Sequence, residues 1–594
     1  MKSNPAWRRL PVICLALMAA LWAAFFLAAS PTQAQRRQAE PETATGVTEK
    51  SLAVASRHMI SAANPYAAQA GAEMLRAGGS AIDAAIAAQL VLGLVEPQSS
   101  GLGGGAFLVH WDMKAGALTT YDGRETAPAA ARPDRFLRDG KPMVFDTAVK
   151  SGLSIGTPGL VRLIEHTHKK HGRLAWAKLF EPAIRLADDG FQVSRRLSFL
   201  LTWNGAATFA PDARRYFFDE YGGARATGSL LKNPEYAATL RAIAGGGADS
   251  FYSGAIAEAI VAAARNAPNA AGDLALADLA AYTVRERAAL CLAYRTKKIC
   301  GMGPPSSGGI AVAQTMKLLE PFDLGKPGAT SIAVEGMHKI AEAEKLAYAD
   351  RDRYLADPEF VAVPGGLLDS VYLDKRRALI DAERAMPKPE PGEPPGLPRR
   401  AFGIDATLER AGTSHISVID DEGDAVSMTT TIEGAFGSGV WAGGFLLNNE
   451  LTDFSFTPSD DKGNPIANRI EPGKRPRSTM APTIVFDDRN EVEAVLGSPG
   501  GSRIIYYVVK TLVGLIDLRL DPQAAAALIN FGSQGGPLEI ETSWTSIGPS
   551  LRLAGFGHKI RSDLMNSGIH VIARRNGRLE GGADPRREGV AVGD

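Results

Sequence analysis

The sequence predicts a large globular protein that contains both helices and strands, and three observations support this prediction. The chain has 594 residues, of which 45% are hydrophobic and 22% are charged, so it can bury a large core. Ala-rich segments typical of helices alternate with segments rich in β-branched residues, and no internal repeat is present. Residues 413–420 and 425–432 flank the turn residues 421–424 and predict a β-hairpin.

The charge balance argues against a nucleic-acid partner. Lys plus Arg equals Asp plus Glu, at 65 each, and three of the positive residues lie within the first 34 residues, which contain no acid. The rest of the chain is therefore slightly negative. Proteins that bind a duplex need clustered positive charge to displace its counterions.

The N-terminus predicts an export signal. Arg8 and Arg9 precede an apolar run over residues 10–29, and Pro31-Thr-Gln-Ala34 places small residues where a signal peptidase cuts. We expect cleavage after Ala34 and a periplasmic or secreted protein, without membrane attachment after the signal is removed. The alternative is a retained anchor, since an apolar run of this length can span a bilayer.

Two local patterns predict elements in the first third of the chain. Ser80 with Asp83 three residues later is typical of a helix N-cap, and the helix should run to about Val95, before Pro97. The glycines of Gly101-Leu-Gly-Gly-Gly105 precede a predicted strand at 107–111. A dinucleotide-binding motif needs a strand before its glycines and a helix after them, so the reversed order excludes that interpretation.

Two cysteines remain once the predicted signal, which contains Cys14, is removed. Cys291 and Cys300 flank eight residues that predict two short strands around a turn. Facing positions of such a hairpin can form a disulfide in an oxidising compartment, and the alternative is a pair of buried thiols.

A proline-rich segment interrupts the chain at residues 386–400, where six prolines lie among charged residues. This composition predicts an exposed, mobile linker. The ordered strand that follows begins at Gly412-Thr413, and a cut between these residues would create an N-terminal threonine. Such a threonine carries its own general base, because an α-amine has a pKa of about 7.7 to 8.0.

Ten motifs, in this order, resemble those of the γ-glutamyltranspeptidase family. Taken singly each is unspecific, and Gly-Thr-Ser alone is most often an ordinary strand sequence. The ordered set is specific and extends from about Ala53 to Arg586. The motifs are Ser100-Gly-Leu-Gly-Gly-Gly105, Asp122-Gly-Arg-Glu125, Gly303-Pro-Pro-Ser-Ser-Gly-Gly309, Ala341-Glu-Ala-Glu-Lys-Leu-Ala-Tyr-Ala-Asp350, Gly412-Thr-Ser-His-Ile-Ser-Val418, Thr429-Thr-Thr-Ile-Glu433, Phe436-Gly-Ser-Gly439, Leu446-Leu-Asn-Asn-Glu-Leu-Thr-Asp-Phe454, Lys474-Arg-Pro-Arg-Ser-Thr-Met480 and Gly497-Ser-Pro-Gly-Gly-Ser-Arg503.

The resemblance implies an N-terminal nucleophile hydrolase of the α+β class, a four-layer αββα sandwich that cuts itself into two associated chains. The large chain would be residues 35–412 and the small chain residues 413–594. Thr413 corresponds to the nucleophile, and Thr431 to a threonine whose hydroxyl lies near it. Gly500 and Gly501 correspond to oxyanion-hole glycines, and they precede an apolar segment, 504–518, that reads as a helix whose start can stabilise an anion.

The resemblance also implies a pocket for the α-carboxylate and α-ammonium of a γ-glutamyl donor. Guanidinium matches two carboxylate oxygens, which suits Arg124, assisted by the hydroxyls of Ser478 and Thr479. Glu450 and Asp453 are the candidates for the ammonium, with Glu433 as a further one. Without the resemblance, Arg124 beside Glu125 would read as a surface pair and Asp453 as a turn residue.

The sequence departs from the family pattern at several positions. Glu433 stands where many members have Asn, Arg477 replaces a leucine, and Thr479 replaces a serine. The segment between Asp453 and Lys474, a lid in well-studied members, has neither Tyr nor Trp. These departures bear on substrate choice more than on the type of reaction.

The leading functional hypothesis is a γ-glutamyl hydrolase and transferase that acts on glutathione and related amides, with water, amino acids or dipeptides as acceptors. The rival within the fold is a glutaryl or cephalosporin acylase, and a rival of another class is a periplasmic amino-acid-binding protein. No metal and no organic cofactor are implied. His166, His168 and His171 lie among lysines on a polar helix and predict a solvated face, and His415 predicts a structural hydrogen-bonding residue.

Overall fold

The structure is a computed structural model that describes residue 42 and residues 44–397, 401–407, 409–410 and 412–594. The predicted signal peptide, residues 1–34, lies outside the described residues. None of the helices in this described part combines the length and hydropathy needed to cross a bilayer.

Two seven-stranded antiparallel sheets form the centre of the molecule. The first sheet has the strand order β14-β2-β8-β9-β3-β4-β5, and the second has the order β1-β13-β12-β11-β10-β7-β6. The strands are β1 Ala53–Ala55, β2 Met59–Ala62, β3 Gly105–Asp112, β4 Ala117–Gly123, β5 Arg285–Ala288, β6 Leu290–Tyr294, β7 Lys297–Gly301, β8 Thr413–Ile419, β9 Ala425–Thr431, β10 Thr483–Phe486, β11 Val492–Gly497, β12 His570–Arg575, β13 Arg578–Ala583 and β14 Val590–Gly593.

Helices cover the outer face of each sheet. They are α1 Pro65–Arg76, α2 Ala81–Val95, α3 Phe145–Val149, α4 Leu160–His171, α5 Glu181–Asp189, α6 Arg195–Asn204, α7 Pro211–Phe217, α8 Pro234–Gly246, α9 Asp249–Tyr252, α10 Gly254–Arg265, α11 Leu276–Ala280, α12 Gly308–Leu319, α13 Val334–Tyr354, α14 Ser370–Arg377, α15 Ile504–Ile516, α16 Pro522–Ala527 and α17 Ile547–Gly555. Short two-stranded ribbons and a small three-stranded sheet complete the described part.

Strand alternation separates three apolar layers. In β10, Ile484 and Phe486 point between the two sheets, whereas Val485 points to the helices on the other side. In β9, Val426 and Met428 pack on the helix layer that contains α1 and α2. The order is therefore helices, sheet, sheet, helices. This confirms the α+β class and the αββα sandwich.

The local elements predicted from sequence are present. The α2 helix begins with a capping box between Ser80 and Asp83 and ends at Val95. The glycine-rich run precedes β3, and the predicted hairpin is β8 with β9. The predicted apolar helix is α15, which begins after one 3₁₀ turn at Gly501–Arg503.

Hydrogen bonds anchor the proline-rich linker, which corrects the prediction that this segment is mobile. Residues 386–397 contain neither helix nor strand, yet the Gly392 N–H donates to Asp350 at 2.8 Å and the Tyr354 hydroxyl donates to the Gly392 carbonyl at 2.6 Å. The Pro395 carbonyl accepts the Gly366 N–H at 3.0 Å. Tertiary hydrogen bonds thus hold this segment in place, although its composition allows it to bury little apolar surface.

Cys291 and Cys300 form the predicted disulfide. They are directly opposite each other in the β6–β7 hairpin, where β6 is an edge strand of the second sheet. The side-chain alternation of two paired strands puts both cysteines on the same face.

Replacing both cysteines by serine should lower the free energy of unfolding by about 2 to 3 kcal/mol, because the bridge closes a loop of about ten residues in the unfolded chain. Denaturant unfolding of the oxidised protein and of the Cys291→Ser/Cys300→Ser protein measures this difference. The chemistry at Thr413 should be unaffected, since Thr413 lies in the other sheet.

Candidate active site

Thr413 and Thr431 are partners at the end of the β8–β9 hairpin. Thr413 is the first residue of β8, Thr431 is the last of β9, and the two are in register. The Thr431 hydroxyl donates to the Gly412 carbonyl at 2.6 Å and accepts the Glu433 N–H at 2.7 Å. The Glu433 N–H therefore directs the Thr431 proton onto the carbonyl of the Gly412–Thr413 bond.

The glycine run before β3 allows close packing against this hairpin end. Thr431 pairs with Gly105, and a Cβ on Gly104 would lie 2.0 Å from the Thr431 carbonyl oxygen. A Cβ on Gly103 would meet the Leu446 carbonyl at 2.2 Å. Only glycine fits at these positions, so the run serves backbone packing around the threonine pair.

The backbone is strained directly beside the threonine pair. Glu433 has a φ of 74°, in the left-handed region that a side chain disfavours. A Cβ on Gly412 would lie 2.3 Å from the Glu433 carbonyl oxygen, so residue 412 must be glycine. A strained backbone conformation persists only where the surrounding structure enforces it, and such conformations are common at functional sites.

The predicted oxyanion-hole glycines lie at the start of α15. Gly500 and Gly501 have φ values of 140° and 56°, and the Thr479 hydroxyl donates to the Gly501 carbonyl at 2.8 Å. Just before them, Gly497 packs on the ring of His415, which lies two residues after Thr413. The loop therefore borders both the nucleophile strand and the predicted donor pocket.

His415 is a structural hydrogen-bonding residue, in agreement with its prediction. Its Nδ1 lies 2.8 Å from the Thr429 hydroxyl and its Nε2 lies 3.1 Å from the Ser417 hydroxyl. Burial lowers the pKa of His415 to about 3, so the ring is neutral.

Arg124 lies between the two acids that were predicted to bind the ammonium. Its guanidinium pairs with Glu450, and with Asp453 at 2.5 Å. It also donates to the carbonyls of Pro476 at 3.2 Å and Arg477 at 2.9 Å. Arg124 is buried, so the alternative of a surface pair with Glu125 is wrong. The pairing places one buried guanidinium group and two carboxyl groups in a single cluster.

The hydroxyls predicted to bind the α-carboxylate follow the carbonyls that Arg124 contacts. The Ser478 hydroxyl accepts the Met480 N–H at 3.1 Å, and Thr479 contacts the oxyanion loop as described above. Both residues are buried. The chain segment 476–479 thus connects the Arg124 cluster to Gly501.

Four buried carboxyls lie in this region: Glu125, Glu450 and Asp453 are close to the Arg124 guanidinium, whereas Glu433 interacts with Asp453 and with the cations Lys150 and Arg410. Burial raises the pKa values of Glu125 and Glu433 to about 8, and it raises those of Glu450 and Asp453 well above the ordinary range. Repulsion between Glu433 and Asp453, and between Glu125 and Glu450, adds to the effect of burial. Burial therefore makes negative charge costly at these carboxyls unless a cation lies close to them.

Sequence reasoning missed the two amides that hold these acids. Asn448 accepts the N–H groups of Gly156 at 2.9 Å and Glu450 at 3.0 Å, and its Nδ2 donates to Gly103 at 2.7 Å. Asn449 donates to the Glu433 carboxylate and accepts the Gly434 N–H at 3.0 Å. The available signal was a pair of adjacent amides directly before Glu450.

Arg477, where the family pattern has leucine, holds the segment that precedes Thr413. Its buried guanidinium lies 3.1 Å from Asp405 and 3.2 Å from Glu409. Arg351 pairs with the same Glu409. Arg477 and Arg351 thus hold Asp405 and Glu409, two residues of the segment before Thr413.

The predicted lid segment contacts the same stretch. Asn468 donates to the Asp405 carboxylate at 3.0 Å and to the Asp453 carbonyl at 2.7 Å. Gly403 pairs with Ile466 in a short bridge. Residues 403 and 405 therefore pack against residues 466 and 468 of this segment, beside the Asp453 backbone.

One buried cluster in the described part has the residue types of a metal site, namely His338, Glu342 and His558. The two rings hydrogen-bond directly at 2.7 Å, and the Lys345 ammonium donates to Glu342 at 2.7 Å. A cation entering there would meet that ammonium, so we assign the cluster to packing between α13 and the C-terminal region.

The three clustered histidines of α4 have separate partners. His166 lies 2.7 Å from Glu286, His168 lies 2.9 Å from the Leu174 carbonyl, and His171 lies 2.6 Å from the Tyr121 hydroxyl. Their ring nitrogens therefore take part in different local contacts.

Comparison with known proteins agrees with the motifs and with the site. The family model described as gamma-glutamyltranspeptidase matches residues 67–594. The glutathione hydrolase proenzyme of Escherichia coli K12 is 37% identical over 545 residues, which are 90% of this chain and 91% of that protein. The glutathione hydrolase proenzyme of Bacillus subtilis 168 is 34% identical over 565 residues, 92% of each chain.

A solved structure is similar over the same extent. The crystal structure of cephalosporin acylase from Bacillus halodurans superimposes with a TM-score of 0.79 at 27% identity, and the match covers 93% of this chain and 98% of that chain. The sandwich is thus the N-terminal nucleophile hydrolase fold. Because the family model and both relatives match most of its length, this chain is an enzyme of the γ-glutamyltranspeptidase family.

Proposed function

We propose that the protein cuts itself between Gly412 and Thr413 and then uses Thr413 to cleave γ-glutamyl amide bonds, including that of glutathione. The products of the cut would be a large subunit, residues 35–412, and a small subunit, residues 413–594. The observation that carries the proposal is the hydrogen bond from the Thr431 hydroxyl to the Gly412 carbonyl.

Self-cleavage needs a nucleophile and a polarised carbonyl at one peptide bond. Attack of the Thr413 hydroxyl on the Gly412 carbonyl carbon forms a C–O bond, and expulsion of the Thr413 nitrogen, which takes up a proton, leaves an ester. The Thr431 hydroxyl stabilises the negative charge that develops on the Gly412 oxygen. Water then hydrolyses the ester and leaves a Gly412 carboxylate and a free Thr413 α-amine.

The same residue then serves external substrates. The free α-amine accepts the proton of the Thr413 hydroxyl as it attacks the γ-carbonyl of a donor. Gly500 and Gly501 are proposed to hold the resulting oxyanion with their backbone N–H groups at the start of α15. The oxyanion then collapses, the amide C–N bond of the donor breaks, and the leaving amine takes the proton held by the Thr413 α-amine, which leaves a γ-glutamyl ester on Thr413. Water or the amine of an acceptor amino acid or peptide then attacks this ester, and the Thr413 oxygen leaves and recovers its proton.

The charge of the pocket supports a donor that carries an ammonium group. A γ-glutamyl group brings an α-carboxylate for Arg124, Ser478 and Thr479, and an α-ammonium for the acids Glu433, Glu450 and Asp453. The buried carboxyls of Glu433, Glu450 and Asp453 make this pocket rich in acids, which suits an ammonium group. A glutaryl group would add only a further negative charge to this site.

The segment before the cut must leave before a donor can bind. The Arg410 N–H donates to the Glu433 carboxylate at 3.3 Å in the uncut chain, and Glu409 and Asp405 occupy Arg477. Release of the new C-terminus at Gly412 would free these groups. The lid, which packs on residues 403 and 405, would then lose part of its support.

We place the enzyme in the periplasm or outside the cell. The basic and apolar N-terminus with Ala34 supports export, and the Cys291–Cys300 disulfide fits an oxidising compartment.

The first test concerns self-cleavage. Thr413→Ala should remain one chain and be inactive, whereas the wild type should give two chains with Thr413 at the start of the smaller one. Thr431→Ala should slow the cut by about 10²- to 10³-fold, as expected for loss of one oxyanion donor, and Thr431→Ser should restore most of the rate. Intact mass and gel analysis over time measure all four proteins.

The outcome that contradicts self-cleavage is a Thr413→Ala protein that still splits at this bond, since another protease would then be responsible.

The second test concerns the donor carboxylate. Arg124→Lys should reduce kcat/KM for a γ-glutamyl anilide by roughly tenfold to a hundredfold, because hydrogen bonds to charged groups contribute about 1.5 to 3 kcal/mol and Lys lacks the planar fork. An acyl anilide without the α-carboxylate is the control substrate and should lose little. Equal losses on both substrates would instead indicate disruption of the site.

The third test separates the γ-glutamyl enzyme from the acylase that the similarity to cephalosporin acylase suggests. Asp453→Asn keeps the shape of the side chain and removes its charge, so binding of a γ-glutamyl donor should weaken by about 2 to 4 kcal/mol. Self-cleavage should persist, because it involves no external donor. Activity on a glutaryl amide should hold steady or rise.

Both substrates are compared on both proteins at one pH. A wild type that prefers the glutaryl amide, together with a substitution that changes neither rate, would replace the γ-glutamyl assignment with the acylase assignment.

A further inference from the structure

Glu42 is a fully buried acid close to the start of the described chain, eight residues beyond Ala34. Its carboxylate accepts hydrogen bonds from Arg587 at 2.6 and 3.1 Å, from Arg196 at 2.8 Å and from the Ser99 hydroxyl at 2.7 Å. Burial opposes ionisation, but the two arginines lower the pKa of Glu42 below its ordinary value. Glu42 is therefore a buried carboxylate held by two buried cations.

Arg587 connects Glu42 to the nucleophile. The same Nη1 atom that binds Glu42 lies 3.2 Å from the Thr413 carbonyl oxygen. Gly568 lies between the side chain of Arg587 and Pro499, the residue before Gly500. A Cβ on Gly568 would lie 2.7 Å from Arg587 and 2.6 Å from Pro499. Arg587 thus hydrogen-bonds to the Thr413 carbonyl and packs, with Gly568 between them, near Pro499 at the start of the predicted oxyanion loop.

The charge balance around Arg587 depends on Glu42. The other buried acid nearby, Glu96, accepts the Ser414 hydroxyl at 3.2 Å, but burial raises its pKa to about 8. Glu588, which accepts the Arg196 backbone N–H at 3.0 Å, is a further acid nearby, but Glu42 is the acid that hydrogen-bonds to the guanidinium groups of both Arg196 and Arg587. Without it, two buried guanidinium groups would repel each other beside Thr413.

The backbone around Glu42 is fixed to the C-terminal region. Asn566 donates to the Glu42 carbonyl at 2.8 Å, and the Thr48 N–H donates to the Pro585 carbonyl at 2.8 Å. The Lys50 ammonium donates to the carbonyls of Asp584 at 2.8 Å and Arg587 at 2.7 Å. Glu42 and the residues from Thr48 to Lys50 therefore lie against the C-terminal region beside Arg587.

We propose that Glu42 is a positioning residue for the nucleophile, acting through Arg587 on the Thr413 carbonyl and the oxyanion loop. The N-terminal segment of the exported chain then completes the active centre, which lies about 370 residues further along the sequence. The inference rests on the proposed self-cleavage at Thr413. It adds a residue that touches neither the scissile bond nor the donor.

The test follows precursor and products by pulse-chase labelling of the full chain. Glu42→Gln should lengthen the half-time of self-cleavage at least tenfold, and Glu42→Asp should recover part of the rate. Glu49→Gln is the matched control, because Glu49 is an exposed acid of the same segment. In processed protein, Glu42→Gln should lower kcat with an unchanged KM for the donor, since the donor pocket is not altered.

A double-mutant cycle tests the route through Arg587. If Glu42 acts through Arg587, Glu42→Gln should cause no further slowing when added to Arg587→Gln. Fully additive effects would overturn the proposal. So would a folded Glu42→Gln precursor, shown by its thermal unfolding transition, that is cut as fast as the Glu49→Gln precursor.

A second variant covers the case in which Glu42→Gln does not fold. Ser99→Ala removes a single hydrogen bond to Glu42 and should slow self-cleavage about threefold to tenfold, and a wild-type rate in that protein would overturn the proposal. Failure of the proposed function looks different, because the wild type itself would then show no cut before Thr413.

Discussion

The register between Thr413 and Thr431 is the constraint on which the rest of the site depends. Because the two strands pair residue by residue, the Thr431 hydroxyl reaches the carbonyl just before Thr413. A shift by one residue would turn both side chains to the opposite face of the sheet. The central position of β8 and β9, with β2 and β3 on either side, protects that register.

The electrostatics of the site follow from burial. Glu433, Glu450 and Asp453 are removed from water, so each carboxylate is costly unless a cation is near, and Arg124 supplies only one positive charge. In the structure, polar groups of the chain itself, such as the Arg410 N–H and the Asn449 amide, donate hydrogen bonds to Glu433. A ligand with an ammonium group would stabilise these carboxylates by placing a positive charge beside them. The charge of the pocket is thus related to the chemistry of the proposed donor.

Buried ion pairs also connect distant parts of the sequence. Arg477 binds the segment before the cut, and Arg587 binds Glu42 and the Thr413 carbonyl. Such pairs are costly to form but specific in geometry, because removing one partner leaves an unpaired buried charge. In this fold they hold residues shortly before Thr413 and the Thr413 carbonyl.

Sequence alone determined the elements whose causes are local. The capping box at Ser80, the β8–β9 hairpin and the helix after Gly501 depend on residues a few positions apart, and the ordered motifs identified the family and the residues around Thr413. Only the tertiary structure determined which charged side chains are in contact. The roles of Asn449, Arg477 and Glu42 depend on contacts between residues far apart in sequence, and periodicity and spacing carry no information about such contacts.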